Sequence, residues 1–130
     1  MPIELDEISL QQRFEEVIAS ENKLEIQEFL NHQNISDVAN LIYENEDYEG
    51  QIISHLSLHR AASVFKILEL PTQKRIIKSL PAFKTTELLN ELPADDRVAF
   101  LEELPTSIVR DLIKTLDPDE RKVTLELLGY

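Results

Sequence analysis

Residues 70–118 read LPTQKRIIKSLPAFKTTELLNELPADDRVAFLEELPTSIVRDLIKTLDP, and the punctuation of this stretch decides the fold. Leu-Pro recurs at Leu70-Pro71, Leu80-Pro81, Leu92-Pro93 and Leu104-Pro105, followed by the variant Leu116-Asp117-Pro118, so the prolines stand 10, 12, 12 and 13 residues apart. Proline inside a helix removes a hydrogen bond and clashes with the preceding turn, yet it fits the first turn without loss. Each break therefore reads as one helix ending and the next beginning. Between the breaks the apolar residues keep helical spacing, as Ile76, Ile77 and Leu80, then Leu88, Leu89 and Leu92, then Phe100, Leu101 and Leu104, then Leu112, Ile113 and Leu116, then Leu125 and Leu128. Two such helices form a unit of 22 to 25 residues, as in Leu70 to Leu92 and Leu92 to Leu116. Neither helix can bury its apolar stripe alone, so the units are expected to stack as a short α-solenoid. An independent helical bundle is the alternative.

Upstream the pattern is looser but still helical. Phe14, Val17 and Ile18 lie on one face, and Leu24, Phe29 and Leu30 on the next, with Asn22 or Glu21 starting the second helix. Ser36 is read as the N-cap before Val38, Leu41 and Ile42, and Ser57 as the cap before Ala61, Ala62, Phe65 and Leu68. Glu44 to Gly50 is an acidic connection leading into Ile52, Ile53 and Leu56. No alternating strand pattern and no hairpin signal occurs. Residues 1–8 read as a mobile tail and residues 9–130 as one helical-repeat domain.

Composition excludes several function classes. The 130 residues contain no cysteine, which removes disulfides, zinc–thiolate centres and thiol nucleophiles. Two glycines cannot build a phosphate-cradling loop or a dinucleotide fingerprint. With 25 acids against 13 bases the net charge is −12, which repels nucleic acid and anionic lipid. The charge is lopsided: residues 1–59 carry −11 and residues 60–130 carry −1, so a cation or basic partner is drawn first to the N-terminal half. No apolar run is long enough to span a membrane and no signal sequence opens the chain, so a soluble, cytoplasmic fragment is expected.

Leu58-His59-Arg60-Ala61-Ala62-Ser63-Val64-Phe65, the Leu-Pro breaks, and Glu91-Leu92-Pro93-Ala94-Asp95-Asp96-Arg97 followed by Leu101-Glu102-Glu103-Leu104-Pro105 resemble the N-terminal cytosolic domain of MgtE-type magnesium transporters. Leu116-Asp117-Pro118-Asp119-Glu120-Arg121 and Leu127-Leu128-Gly129-Tyr130 fit the end of that domain, and the similarity covers residues 20 to 130. The resemblance implies an all-α right-handed superhelix that regulates transport without carrying it out. It further implies that CBS domains and membrane helices of the same polypeptide follow, in a homodimer at the cytoplasmic face of the plasma membrane. Mg²⁺ held between this domain and a CBS domain would favour the closed channel.

The same resemblance places a metal-contacting carboxylate at Asp95, with Asp96 as the lesser candidate. Acids at a helix start are also favoured by the macrodipole with no ligand present. A further acidic position of some relatives falls on Ser63 here. Asp117 and Asp119 read as a turn and a helix start. Glu102-Glu103, Glu15-Glu16 and Glu44-Glu46-Asp47-Glu49 are expected to gather a loose cation atmosphere, and Asp111 and Glu87 to pair with Lys114 and Lys84. His55 and His59 have the spacing of two ligands on one helical face, but Ser57 and Leu58 should break that helix, so no zinc site is expected. No nucleophile elbow or triad motif occurs, and an enzyme is not expected. The competing reading is an interaction scaffold without an ion role, similar to the helical repeats of the flagellar motor switch protein.

Overall fold

The computed structural model describes residues 9–129. The tail read at residues 1–8 and the closing Tyr130 lie outside the described residues. Ten α-helices and one short 3-10 turn, with no strand, make up the described residues. They are α1 (Leu10–Ala19), α2 (Lys23–His32), α3 (Ile35–Glu44), the turn Glu46–Tyr48, α4 (Glu49–His55), α5 (Leu58–Phe65), α6 (Leu70–Ser79), α7 (Ala82–Glu91), α8 (Ala94–Leu101), α9 (Thr106–Lys114) and α10 (Pro118–Leu128).

The proline breaks do set the helix starts, in two ways. Pro81, Pro93 and Pro105 are N-caps of α7, α8 and α9, where extended backbone lets each carbonyl accept the first intrahelical bond, as from Arg97 N at 2.9 Å. Pro71 and Pro118 instead lie inside the first turn of α6 and α10. The missing N–H costs nothing there. Leu80, Leu92, Leu104 and Leu116 close the preceding helices or turns, and Leu80, Leu92 and Leu116 are buried, whereas Leu70 already belongs to α6. The break at Leu70 differs from expectation, since α5 already ends at Phe65 and a turn intervenes.

In the N-terminal half, the cap of α3 is Asn34, whose side chain accepts from Asp37 N at 2.8 Å. Ser36 lies inside the helix and donates to the same Asn34 oxygen, which corrects its reading as the cap. Asn22 caps α2, and Glu21 before it takes a left-handed φ of 55°. Leu24 is exposed; Ile26 and Leu30 form the buried face of α2 instead.

Packing follows a next-but-one rule. α1 touches α3, α3 touches α5 and α5 touches α7, while α2 touches α4, α4 touches α6 and, further on, α8 touches α10. This two-row stacking makes an all-α solenoid, in which each helix buries its stripe against neighbours close in sequence. One continuous core runs through it from Phe14 to Leu116. Phe65 and Phe100 meet edge to face at 5.4 Å between ring centres and tie α5 to α8. At the α4–α6 crossing a Cβ on Gly50 would stand 2.6 Å from the Ser79 hydroxyl oxygen, so any larger residue would force that hydroxyl to turn away from its bond to Ile76 O.

Candidate functional site

Asp95 and Asp96 occupy the first turn of α8. Proline caps this helix and brings no side-chain acceptor, so no side-chain cap bonds its first N–H groups, and the two aspartates of that turn are favoured there by the helix dipole alone. Asp95 is exposed and Asp96 half-buried, and neither carboxylate is hydrogen-bonded to another described side chain. Asp96 borders a shallow depression of about 370 Å³ shared with Lys66, Gln73 and Glu103; Asp95 stands outside it. Successive residues on a helix point about 100° apart, so the two carboxylates diverge.

The next residue fixes this helix start. Arg97 is fully buried, and its five N–H groups meet five oxygens. Nε donates to Leu89 O at 2.7 Å, Nη2 to Leu92 O at 2.7 Å and Asn90 O at 3.1 Å, and Nη1 to the Thr124 hydroxyl at 3.0 Å. Nη1 also lies 3.1 Å from Glu120 Oε1, its only carboxylate partner. Arg97 thereby caps the free carbonyls at the end of α7 and joins α7, α8 and α10. Reading the sequence missed this role, because Asp-Asp-Arg in an acidic run looks like an exposed charge cluster.

The same device recurs. Arg60 donates to Leu30 O and Gln33 O at the end of α2, and Arg121 to Lys114 O and Leu116 O at the end of α9. Two asparagines act in parallel with them. Asn31 receives Ser57 N at 2.9 Å ahead of α5, and Asn90 receives Asp117 N at 2.8 Å ahead of α10. Each arginine stands three or four residues after its helix cap, at Ser57, Pro93 or Asp117. That spacing is a signal visible in the sequence.

The other acidic candidates separate. Glu49, read as part of a diffuse cation-gathering run, is buried and paired with Arg75, with Nε to Oε1 at 2.9 Å. That hydrogen bond raises the pKa of Arg75, and burial works against it. Glu46 and Asp47 remain exposed beside it. The Ser63 hydroxyl donates to His59 O in its own helix. His55 ends α4 and His59 belongs to α5, so the break at Ser57 holds; His59 lies 3.5 Å from Glu91 instead. Asp111 with Lys114 and Glu87 with Lys84 form no ion pair. Both would be solvent-exposed pairs of little worth, and Lys84 leans over the Phe83 ring. Among the described residues no three His, Asp or Glu side chains converge as a metal cluster. The carboxylates at the start of α8 are hard oxygen donors, the kind magnesium takes, and by themselves would fill at most two of its six positions.

Short helices stacked in two rows, with an anchored acidic helix start at the surface, define a helical-repeat domain. The chain belongs to the MgtE intracellular N domain family, whose pattern matches residues 33–130. The structure is similar to the solved cytosolic domain of the Mg²⁺ channel MgtE in complex with ATP, with a TM-score of 0.82 and 25% sequence identity over 93% of this chain. The chain spans half the length of that solved chain. No curated protein matches it. Among the described residues no helix is long and apolar enough to cross a membrane.

Proposed function

We propose that this domain is the regulatory module of a magnesium channel, and that it senses Mg²⁺ through an ion shared with a CBS domain of the same polypeptide. Membership of the MgtE intracellular N domain family supports the regulatory role. The observation that carries the ion reading is the start of α8: Asp95 is exposed and has no hydrogen-bond or ion-pair partner among the described residues, on a helix held by the five bonds of Arg97.

The physics is a balance of repulsion and bridging. A chain of net charge −12 repels another acidic surface, and a divalent ion between facing carboxylates turns that repulsion into attraction. Mg²⁺ keeps several waters, so one carboxylate from Asp95 is a sufficient contribution from this side, and the diverging Asp96 adds charge to the helix start. An ion bound only in the docked arrangement shifts the population toward that arrangement, which is the closed channel; loss of the ion releases the surfaces. In this reading the whole protein is a homodimer in the plasma membrane with this domain on the cytoplasmic side, and the domain performs no catalysis.

Amide NMR of this chain, titrated with MgCl₂ and with NaCl at matched ionic strength, tests the half-site. The expected result is shifts confined to the start of α8 that Asp95→Ala abolishes. Diffuse shifts that NaCl reproduces contradict a half-site at Asp95 and favour the scaffold reading.

A further inference from the structure

We propose that the groove between α6 and the α8–α9 corner receives an acidic amphipathic helix, a docking surface separate from the ion reading and independent of it. Three observations point there. First, the next-but-one stacking that joins α2 to α4 and α4 to α6 is not carried on from α6 to α8 with comparable closeness, and a groove of about 250 Å³ opens between them. Second, its walls are apolar. Phe100 forms the floor and Ile77, Leu104 and Ile108 the sides, and Ile108 remains 46% exposed while Val109 and Ile113 of the same helix enter the core. Third, among the described residues the charged groups lining this groove are Lys74 and Lys78, one helical turn apart on the α6 lip.

Those two lysines decide the chemistry of the occupant. The chain holds 25 acids against 13 bases, yet neither lysine is ion-paired within the described residues, where every ion pair uses His59, Arg75 or Arg97. Two adjacent unpaired cations above an apolar trough complement a helix whose apolar stripe fills the trough and whose flanking Glu or Asp side chains meet the lip. Such a helix would take the stacking place left open between α6 and α8. A basic helix would be drawn to the acidic surface elsewhere and would be repelled at this lip. The depression on the far side of Phe100 carries Asp96 and Glu103 opposite Lys66, so the preference for acid is confined to the Lys74–Lys78 end.

The test uses the chain with three capped 14-residue peptides: leucines at i, i+3, i+4 and i+7 spacing flanked by glutamates, the same peptide with lysines for glutamates, and a scrambled glutamate peptide. Expected are methyl shifts at Ile77, Leu104 and Ile108 with the ordered glutamate peptide alone, weakened roughly tenfold by Lys74→Glu with Lys78→Glu. Ile108→Glu, a change at an exposed position, should abolish them while leaving the unfolding midpoint near that of the parent. The proposal is overturned by no shifts at millimolar peptide, by shifts outside the groove, or by equal binding of the lysine peptide. Binding of the chain to phosphatidylglycerol vesicles without peptide binding would assign the lysines to a lipid surface and overturn it as well.

Discussion

Arg97 Nη1 lies 3.1 Å from Glu120 Oε1, and this ion pair couples the first turn of α8 to the last helix of the domain. The guanidinium is fully buried while the carboxylate is partly exposed, so the arginine is held chiefly by carbonyl and hydroxyl oxygens. Asp95 and Asp96 therefore rest on a helix whose position depends on a neighbour that never reaches the surface.

Arg97→Ala should be among the most damaging single changes. It empties a buried volume and leaves the Leu89, Asn90 and Leu92 carbonyls without their donor, a loss of about 3–5 kcal/mol. Arg97→Lys should recover only part of this, because an ammonium cannot reach the oxygens at the end of α7 and those on α10 together. Glu120→Gln should cost about 1 kcal/mol or less, since its carboxylate is partly solvated. Urea unfolding with an unchanged m value reads all three. Equal midpoints for the parent and Arg97→Lys would contradict the five-bond anchor.

Asn31 and Asn90 make the same clamp at two places in the solenoid. Asn31→Ala and Asn90→Ala should each cost about 1–2 kcal/mol, by freeing the N–H of Ser57 or of Asp117 and a carbonyl of the asparagine's own helix. The two sites share no partner, so the double variant should show the sum. Marked non-additivity in the unfolding free energies would show that the clamps are not independent.

Gly50→Ala should destabilise by about 1 kcal/mol or less, because the Ser79 hydroxyl must turn away from the new methyl and give up its bond to Ile76 O. Removing that hydroxyl should reverse the sign. In a Ser79→Ala background, Gly50→Ala should be neutral or stabilising by up to about 1 kcal/mol, the ordinary helix preference for alanine. A thermal melt of the four proteins in this cycle decides it.

The order of helices was legible because proline has so few places in a helix. Pro81, Pro93 and Pro105 each mark a start to the residue, and the apolar spacing between them names most of the core. Misreadings came where several residues could do the same job. Asn34 and Ser36 are both good caps two positions apart, and Leu24 has the spacing of a core residue but faces solvent from the first turn of α2. Asp95 is nominated by its family motif alone, and Arg97 goes unread as a buried hub although its spacing from the helix cap recurs at Arg60 and Arg121. Its partners are backbone carbonyls of Leu89, Asn90 and Leu92, which carry no side-chain signature, and Glu120 and Thr124, more than twenty residues away. Glu49 was hidden similarly, since its run of acids gives no hint that α6 brings Arg75 beside it.

The most direct test of the proposed ion bridging is the association of this domain with the CBS domain that the proposal places in the same polypeptide, measured by titration calorimetry in MgCl₂ and in NaCl at matched ionic strength. The account predicts Mg²⁺-dependent binding that Asp95→Ala weakens at least about tenfold, the loss of one charge-assisted ligand, with the fold unchanged by circular dichroism. Binding of equal strength in both salts, or full Mg²⁺-dependence retained by Asp95→Ala, would contradict it.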